Sequence, residues 1–334
     1  MAMRSHVIGT GMSVGERVVT NADMTRWMDT SEEWIEQRTG IRERRWIAEG
    51  QRPSTLARDA SLAALEQAGL SVTDVDCILL ATLSSEHEFP GTSFFLHEEL
   101  GAGEIPCIDL GAQCSGFLYA LQMADALIVA ERYARVLVVG AEVHSTGLDL
   151  STEGRDVSVI FGDGAGAVLL EAIDSGAEIG LLGVQIHAEG RYARRLWTEG
   201  PSSARSPRID REALDARLHF PSMDGRFVFK NAVRRMPEVL LSTLEAADVG
   251  LSDVDLFLFH QANLRINEFV AQKLEIPPEK LRNHIQRLGN CSAAALPILL
   301  AEASREGLLE PGKLVSLTAF GAGFTWGSAL LRCG

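Results

Sequence analysis

Three side chains of this sequence have the functional groups of nucleophilic catalysis: a thiol, an imidazole and a carboxamide. The thiol is Cys114, in DLGAQCSGFLYALQMADALI, between a strand-like run and an apolar helix. A helix N-terminus is electropositive, so we expect this thiol to have a lowered pKa and to form a thiolate. The free N–H groups there also suit an oxyanion. A buried structural cysteine is the alternative, but Gly111, Ser115 and Gly116 favour a thiol that a substrate can approach.

The imidazole and the carboxamide follow other predicted secondary-structure junctions. His260 ends the apolar run LFLF and begins HQANLRI, and the carboxyl end of a buried strand is where α/β proteins place reactive groups. Asn290, in RLGNCSAAALP, precedes a predicted helix that it could simply cap. Each residue alone has an ordinary structural interpretation. If their junctions face that of Cys114, the three side chains together could form a catalytic site.

The chain contains an internal repeat. Three pairs of segments resemble each other in the same order: GLSVTDVDCILL with GLSDVDLFLF, LGAQCSGFLYAL with LGNCSAAALPIL, and FGDGAGAVLLEA with FGAGFTWGSALL. Three pairs in the same order predict two similar halves of one fold, residues 1–175 and 176–334. In such a pair the junction at Cys114 faces its counterpart at Asn290.

Apolar runs alternate with helical periodicity in both halves, as in CILLAT, VLVVGAE, LFLFH and LVSLTAF. This pattern predicts an α/β fold whose sheets are covered by helices on both faces, with a helix layer shared between the halves. Residues 190–226 are the exception, since they are polar, rich in Arg, Ser and Pro, and weakly periodic. They are predicted to form a surface insertion or lid.

Composition excludes several classes of protein. The net charge of −14 in 334 residues disfavours a nucleic-acid binder. No apolar run reaches the roughly 18 residues of a membrane span. The start, MAMRSHVIGTGM, lacks the apolar core of a signal peptide, and the five cysteines include no CxxC pair. We therefore expect a cytoplasmic protein with free thiols.

With these motifs in view, the sequence resembles the β-ketoacyl-acyl carrier protein synthase III family of the thiolase superfamily. The resemblance runs nearly end to end. Its motifs are NADMTRWMDTSEEWIEQRTGIRERR, AQCSGFLYALQMA, VIFGDGAGAVLL, HQANLRI, RLGNCSAAALP and FGAGFTWGSALLR. It implies a thiolase-like, duplicated five-layer αβαβα fold.

The resemblance implies a catalytic role for each of the three residues. Cys114 would be the acylated nucleophile, and His260 and Asn290 would drive decarboxylation. The N–H groups of Cys114 and Ala322 would hold the oxyanion, with Phe320 beside the decarboxylation site. The enzyme would transfer an acyl group from acyl-CoA and condense it with malonyl-acyl carrier protein or malonyl-CoA. It would need no metal or redox cofactor. Such a reaction primes fatty acid synthesis.

Four further positions match the family's contacts to CoA. Trp34 would stack on the adenine, Arg38 and Arg155 would pair with the phosphates, and Asn263 would contact the pantetheine arm.

Other positions match contacts to protein partners. Lys230, Arg265 and Lys273 would face an acidic carrier protein, although exposed basic residues are often merely solvated. Phe89, in EHEFPGTS, would insert across a homodimer interface and shape the acyl pocket.

Two positions depart from the family pattern. Ala322 replaces a usual glycine and is expected to narrow the oxyanion loop or reshape the pocket. Cys291 replaces a small hydroxyl residue, and we interpret it as a buried small hydrophobe rather than a second catalytic thiol.

Several related functions remain as alternatives. A homologue of secondary metabolism, making alkylquinolone or polyketide precursors, would have the same three residues and an unusual primer. A head-to-head acyl-CoA condensing enzyme has glutamate directly before the loop proline, where this chain has Phe89, with Glu88 one position earlier. A degradative thiolase has a second catalytic cysteine just before the C-terminal glycine loop, where this chain has LTAFGAG with no cysteine, and Cys333 lies at the very end, so this alternative is disfavoured. A non-catalytic acyl-CoA-binding subunit would have lost one of the three residues. The primer is left open, with a medium or longer chain favoured over acetyl.

Overall fold

The computed structural model describes residues 3–174, 176 and 178–334, and within them two five-stranded sheets have the same strand order. The strands are β1 Met3–Val14, β2 Arg17–Thr20, β3 Glu43–Trp46, β4 Cys77–Ala81, β5 Cys107–Leu110, β6 Arg135–Glu142, β7 Gly164–Asp174, β8 Gly180–Ala188, β9 Leu196–Trp197, β10 Ser222–Met223, β11 Leu256–Phe259, β12 Leu281–Arg282, β13 Leu314–Gly321 and β14 Thr325–Arg332. The first sheet is ordered β1-β7-β6-β4-β5 and the second β8-β14-β13-β11-β12.

The helices alternate with these strands along the chain. They are α1 Asn21–Met24, α2 Glu32–Thr39, α3 Pro53–Ala68, α4 Thr92–Glu99, α5 Gly116–Val129, α6 Arg155–Ser158, α7 Arg211–Asp215, α8 Gly225–Ala246, α9 Leu264–Lys273, α10 Ile285–Leu288 and α11 Ala295–Arg305. Among the described residues, no helix combines the length and the apolar character needed to cross a bilayer.

Five layers result from this order. Helices α3 and α4 cover the outer face of the first sheet, and α8 and α9 cover that of the second. Helices α5 and α11 lie between the sheets and pack on both in one apolar core. α5 is apolar around most of its surface because it contacts both sheets. The predicted duplicated αβαβα fold is confirmed.

Each sheet draws its strands from one part of the chain. The first contains strands from residues 3–174, and the second contains strands from residues 180–332. The predicted boundary falls at Ser175, which lies outside the described residues. The division into two domains therefore stays a prediction.

The two halves repeat a short turn before their central helices. A 3-10 turn, Gln113–Ser115, precedes α5, and an equivalent turn, Ser292–Ala294, precedes α11. Gln113 and Ser292 both have left-handed backbones, with φ of 46° and 45°. Strand β6 packs directly on the second turn, since a Cβ on Gly140 would lie 2.4 Å from the Ala293 carbonyl oxygen. These close contacts bring the two turns together at the middle of the molecule.

The segment 190–226 forms a small layer over the molecule's centre. It contains a 3-10 turn at Gly190–Arg195, α7, and strands β9 and β10, which pair antiparallel. Most of it is exposed, as predicted, but Leu196 and Met223 are half-buried. The segment therefore also contributes walls to the cavities beneath it.

Candidate active site

Cys114 lies at the centre of the first turn and is 7% exposed. Strand β13 crosses close to it, since a Cβ on Gly321 would lie 2.7 Å from the Cys114 Cβ. The open approach expected at Gly116 is wrong, because a Cβ there would lie 3.0 Å from the Ala81 Cβ. Gly116 serves to pack α5 on β4, whereas a Cβ on Gly111 would face open space.

The expected lowering of the thiol pKa is also wrong. Burial raises the pKa of Cys114 to about 11, and the nearby Glu142 carboxyl adds to the effect. Hydrogen bonds from the Ser292 hydroxyl and from the N–H groups of Ala322 and Cys114 favour the thiolate but do not outweigh burial. The Ser292 Oγ lies 3.4 Å from the sulfur. Cys114 is thus a neutral thiol at neutral pH, with N–H donors already facing its sulfur.

His260 directly follows β11 and is 2% exposed. Its backbone N–H donates to the Thr318 carbonyl at 2.8 Å, which fixes the residue at the carboxyl end of β11, beside β13. Neither ring nitrogen has a hydrogen-bond partner among the described residues. Burial lowers the pKa of His260 to about 3, so the ring is neutral and has one N–H to donate.

Asn290 is held by hydrogen bonds on both sides. Its backbone N–H donates to the Ile160 carbonyl at 2.9 Å, and its carbonyl accepts from the Gly162 N–H at 3.1 Å. Its side-chain Oδ1 accepts from the Ser292 N–H at 2.8 Å, a local bond within the turn. Asn290 is not the N-cap of that turn, which is Cys291, so the capping role considered above is wrong. The local bond uses only the oxygen, so the Nδ2 group remains as a donor.

The turn before α5 and the turn before α11 occupy equivalent places in the two halves. Counted from the start of each turn, Cys114 corresponds to Ala293, and Asn290 corresponds to Gly111 rather than to Cys114. The two turns do face each other, and the contact is made by Ser292 on the thiol.

One cavity of about 620 Å³ brings the predicted catalytic residues together. Cys114, His260, Asn290 and Phe320 all line it. It extends outward past the predicted CoA contacts Trp34, Arg38 and Asn263, and it also reaches Arg265.

Arg155 does not line this cavity but stacks on Trp34, which does. Its guanidinium lies 4.6 Å from the Trp34 ring centroid, and that of Arg38 lies 4.4 Å from the same ring. Arg155 also donates to the Asp29 carbonyl at 2.6 Å. An adenine on Trp34 would have to replace or extend one of these stacks. Asn263 is similarly engaged, since its side chain caps α9 and donates to the Arg38 carbonyl at 2.9 Å.

The residues predicted to contact protein partners lie at the surface. Lys230 on α8 and Arg265 and Lys273 on α9 are exposed on neighbouring helices. Phe89 is 82% exposed in the loop after β4. The preceding Glu88 forms an ion pair with Arg208 of the 190–226 segment.

A second cavity of about 500 Å³ reaches the thiol from the other side. We call it the primer cavity. Cys114 and Ala322 line it, and its walls also include Leu83, Val143 and Trp197. The thiol therefore lies where two cavities meet.

Sequence reasoning missed two residues beside the thiol, Ser292 and Glu142. The Glu142 carboxyl is fully buried and accepts from the Ser84 hydroxyl at 2.6 Å, the Leu83 N–H at 3.1 Å and the Ala293 N–H at 3.3 Å. It thereby ties the loop after β4 to the turn that carries Ser292. The sequence signal was available, since Glu142 is a carboxylate at the end of the apolar run VLVVGAE.

Comparison with known proteins gives matches to both halves. Residues 108–190 match the family described as 3-oxoacyl-(acyl-carrier-protein) synthase III, and residues 244–333 match the C-terminal family of the same name. The chain is 42% identical over 336 residues to a beta-ketoacyl-(acyl-carrier-protein) synthase III of Paramagnetospirillum magneticum, covering 99% of this chain and 100% of that protein.

Solved structures give the same result. The 3-oxoacyl-(acyl-carrier-protein) synthase III of Aquifex aeolicus VF5 has a TM-score of 0.89 and 40% identity, covering 98% of this chain and 99% of that one. The priming beta-ketosynthase of the R1128 polyketide pathway has a TM-score of 0.90 and 31% identity, covering 99% of this chain and 97% of that one.

Proposed function

The chain belongs to the 3-oxoacyl-(acyl-carrier-protein) synthase III family of condensing acyltransferases, and we propose that Cys114, His260 and Asn290 carry out its reaction. An acyl group from acyl-CoA is transferred to Cys114. It then condenses with malonyl-acyl carrier protein, or with malonyl-CoA, to give a β-ketoacyl thioester and CO2. The resulting product primes fatty acid synthesis.

Acylation begins with attack of the Cys114 sulfur on the thioester carbonyl. The new S–C bond forms as the bond to the CoA sulfur breaks, and the thiol proton leaves with CoA as its thiol. The N–H groups of Cys114 and Ala322, which favour negative charge on the sulfur, are also candidates to hold the oxyanion of the intermediate. The Ala322 methyl group does not remove this N–H.

Condensation uses the two donors across the cavity. The neutral His260 ring and the Asn290 Nδ2 donate to the malonyl thioester carbonyl, where negative charge develops as the C–CO2 bond breaks. The resulting enolate carbon attacks the acyl-Cys114 carbonyl. The Cys114 sulfur leaves and takes up one proton from water, so the thiol is restored. These steps require only the substrates, the side chains and one proton from water, with no metal or redox cofactor.

The observation that supports this proposal most is the shared cavity. Cys114, His260 and Asn290 come from distant parts of the chain, yet they line the same space. His260 is held neutral and the Asn290 side chain is oriented by its bond from the Ser292 N–H, so both have donors available without any substrate-induced titration.

We further propose the partners predicted above. An acidic carrier protein would dock on α8 and α9 beside Lys230, Arg265 and Lys273, with its pantetheine arm entering past Asn263. A second copy of the chain would pair at the edge strand β5, bringing Phe89 to its neighbour. The five free cysteines support a cytoplasmic location.

A second candidate is a specialised enzyme with an unusual primer. The primer cavity, at about 500 Å³, offers space beyond that of an acetyl group. Similarity to a priming ketosynthase of a polyketide pathway favours the same possibility. The catalytic steps would be identical.

The test is the mass of the intact protein after incubation with acyl-CoAs from acetyl to dodecanoyl. We expect one acyl adduct, absent from Cys114→Ala. His260→Ala and Asn290→Ala should still be acylated but should lose condensation by about 100-fold or more each. His187→Ala, at an exposed histidine on β8, is the matched control. An adduct that persists in Cys114→Ala, or full condensation activity in His260→Ala, would contradict the proposal.

A further inference from the structure

The primer cavity has a mixed lining that a plain alkyl chain does not match. Leu83, Val143 and Trp197 provide apolar walls, but His144 and His219 also line it. The histidines come from distant parts of the chain, His144 from the loop after β6 and His219 from the 190–226 segment.

Each of these histidines has a buried ring nitrogen that is not used. His144 Nε2 and His219 Nδ1 have no hydrogen-bond partner within the described part of the chain. His144 is 8% exposed and packs on Phe161, with ring centroids 4.5 Å apart, so its position is held by packing. The nitrogens of His260 are unpaired in the same way, beside the other cavity.

An unpaired polar group next to a buried ligand has an energetic consequence. A hydrocarbon chain in the primer cavity would leave both nitrogens without a partner after water is excluded, and burying such groups unpaired is unfavourable. A ligand with a hydrogen-bonding group removes this penalty. A site built to pair such a group discriminates strongly against an analogue that lacks it.

The charges of the residues that line the primer cavity limit which hydrogen-bonding substituent an acyl chain could carry there. Burial lowers the pKa of His144 to about 3, so its ring is neutral. No lysine or arginine is found among the described residues that line this cavity. A carboxylate would therefore lie beside the neutral His144 ring with no lysine or arginine of the lining to pair with, whereas a hydroxyl or carbonyl oxygen can pair with a neutral imidazole.

We infer that the primer is an acyl group that carries a neutral oxygen substituent, a hydroxyl or a carbonyl, which His144 and His219 bind in the primer cavity. The carbon chain lies against Leu83, Val143 and Trp197. This inference rests on the proposed function, since it assumes that Cys114 is acylated by an acyl-CoA.

The experiment compares acylation rates within matched pairs of substrates. Octanoyl-CoA and its hydroxy and oxo derivatives, substituted at successive carbons, are each incubated with the full-length protein, and adduct formation is timed by intact mass. We expect at least one substituted acyl-CoA to acylate Cys114 about tenfold faster, or more, than octanoyl-CoA.

Variants link this selectivity to the histidines. His144→Phe keeps an aromatic ring on Phe161, and His219→Phe is its counterpart. Each should reduce the ratio of substituted to plain rates toward one. His187→Phe is the matched control, because the exposed His187 stacks on Trp326 with centroids 5.4 Å apart and lines neither cavity, and it should keep the wild-type ratio. If thermal unfolding shows that His144→Phe does not fold, His144→Leu replaces it.

The outcomes separate the two proposals. Equal or faster acylation by octanoyl-CoA than by every substituted analogue overturns the inference and leaves the proposed function intact. A wild-type ratio in both His144→Phe and His219→Phe also overturns it. If no acyl-CoA of any type labels Cys114, the proposed function itself fails.

Discussion

At the scale of single residues, Cys114 combines a reactive position with a raised pKa. Burial raises the pKa of this thiol to about 11, so only a small fraction is thiolate at neutral pH. Because the thiolate fraction grows with pH below the pKa, we expect alkylation of Cys114 by iodoacetamide to accelerate about tenfold per pH unit between about pH 7 and 9. The measurement is the alkylation rate of a Cys114-containing peptide by mass spectrometry.

The Cys114→Ala variant gives the background from the other four cysteines in the same experiment. A rate that levels off below about pH 8 would contradict the raised pKa and would restore the expectation from the helix dipole.

Glu142 is a second residue whose burial has a measurable effect. Burial raises its pKa from 4.5 to about 7. Between these values the folded protein keeps the proton that the unfolded chain has lost, so this group lowers the free energy of unfolding as pH rises through that range. The effect is on the order of 3 kcal/mol.

Glu142→Gln removes this titration. We expect the variant's free energy of unfolding, from urea titrations at about pH 4.5 and 7.5, to fall less with rising pH than that of the wild type. Glu238→Gln, at an exposed position on α8, is the matched control and should follow the wild type. The same pH dependence in Glu142→Gln as in wild type would show that another group is responsible.

At the scale of secondary-structure elements, α8 and α9 form one packed surface beside the first cavity. They share an apolar core, and Phe229 and Phe269 contact each other edge to face with centroids 6.2 Å apart. This packing places the exposed Lys230 on the same side of the second sheet as Lys273. A basic surface on rigid helices suits an acidic carrier protein.

Charge reversal tests this surface. Lys230→Glu should raise KM for malonyl-acyl carrier protein by about three- to tenfold, more at low salt than at high salt, because long-range attraction is lost. Arg305→Glu, with the same change in charge at the end of α11, is the control. Steady-state kinetics of condensation measure both. An equal rise in KM for both variants would indicate an effect of net charge alone, not of a docking surface.

At the scale of the whole molecule, an apolar surface surrounds the edge of the first sheet. β5 ends the sheet order, and Ile108 on this strand is 38% exposed. Phe94 and Phe89 nearby are 53% and 82% exposed. An unpaired edge strand with large apolar residues favours association with another chain.

We expect a homodimer in solution that Ile108→Lys and Phe94→Asp each weaken, shifting sedimentation toward the monomer at about 10 μM protein. Leu241→Asp, at a 44% exposed leucine on α8, is the control and should remain dimeric. A monomeric wild type, or dissociation of Leu241→Asp alone, would contradict a dimer formed through β5.

The sequence by itself was sufficient to predict the duplicated fold. Apolar periodicity and the three repeated segments are properties of neighbouring residues, and the formation of strands and helices depends mainly on such local patterns. The junction residues Cys114, His260 and Asn290 could be selected for the same reason, since each lies where one pattern gives way to another.

Only the tertiary structure decided the chemical state of these residues. The pKa of Cys114 depends on burial and on Ser292 and Glu142, which lie far along the chain, and no local pattern encodes that combination. The same applies to the primer cavity, where His144 and His219 come from separate segments. Burial and electrostatics are set by the atoms that surround a group in space, and these are known only once the chain has folded.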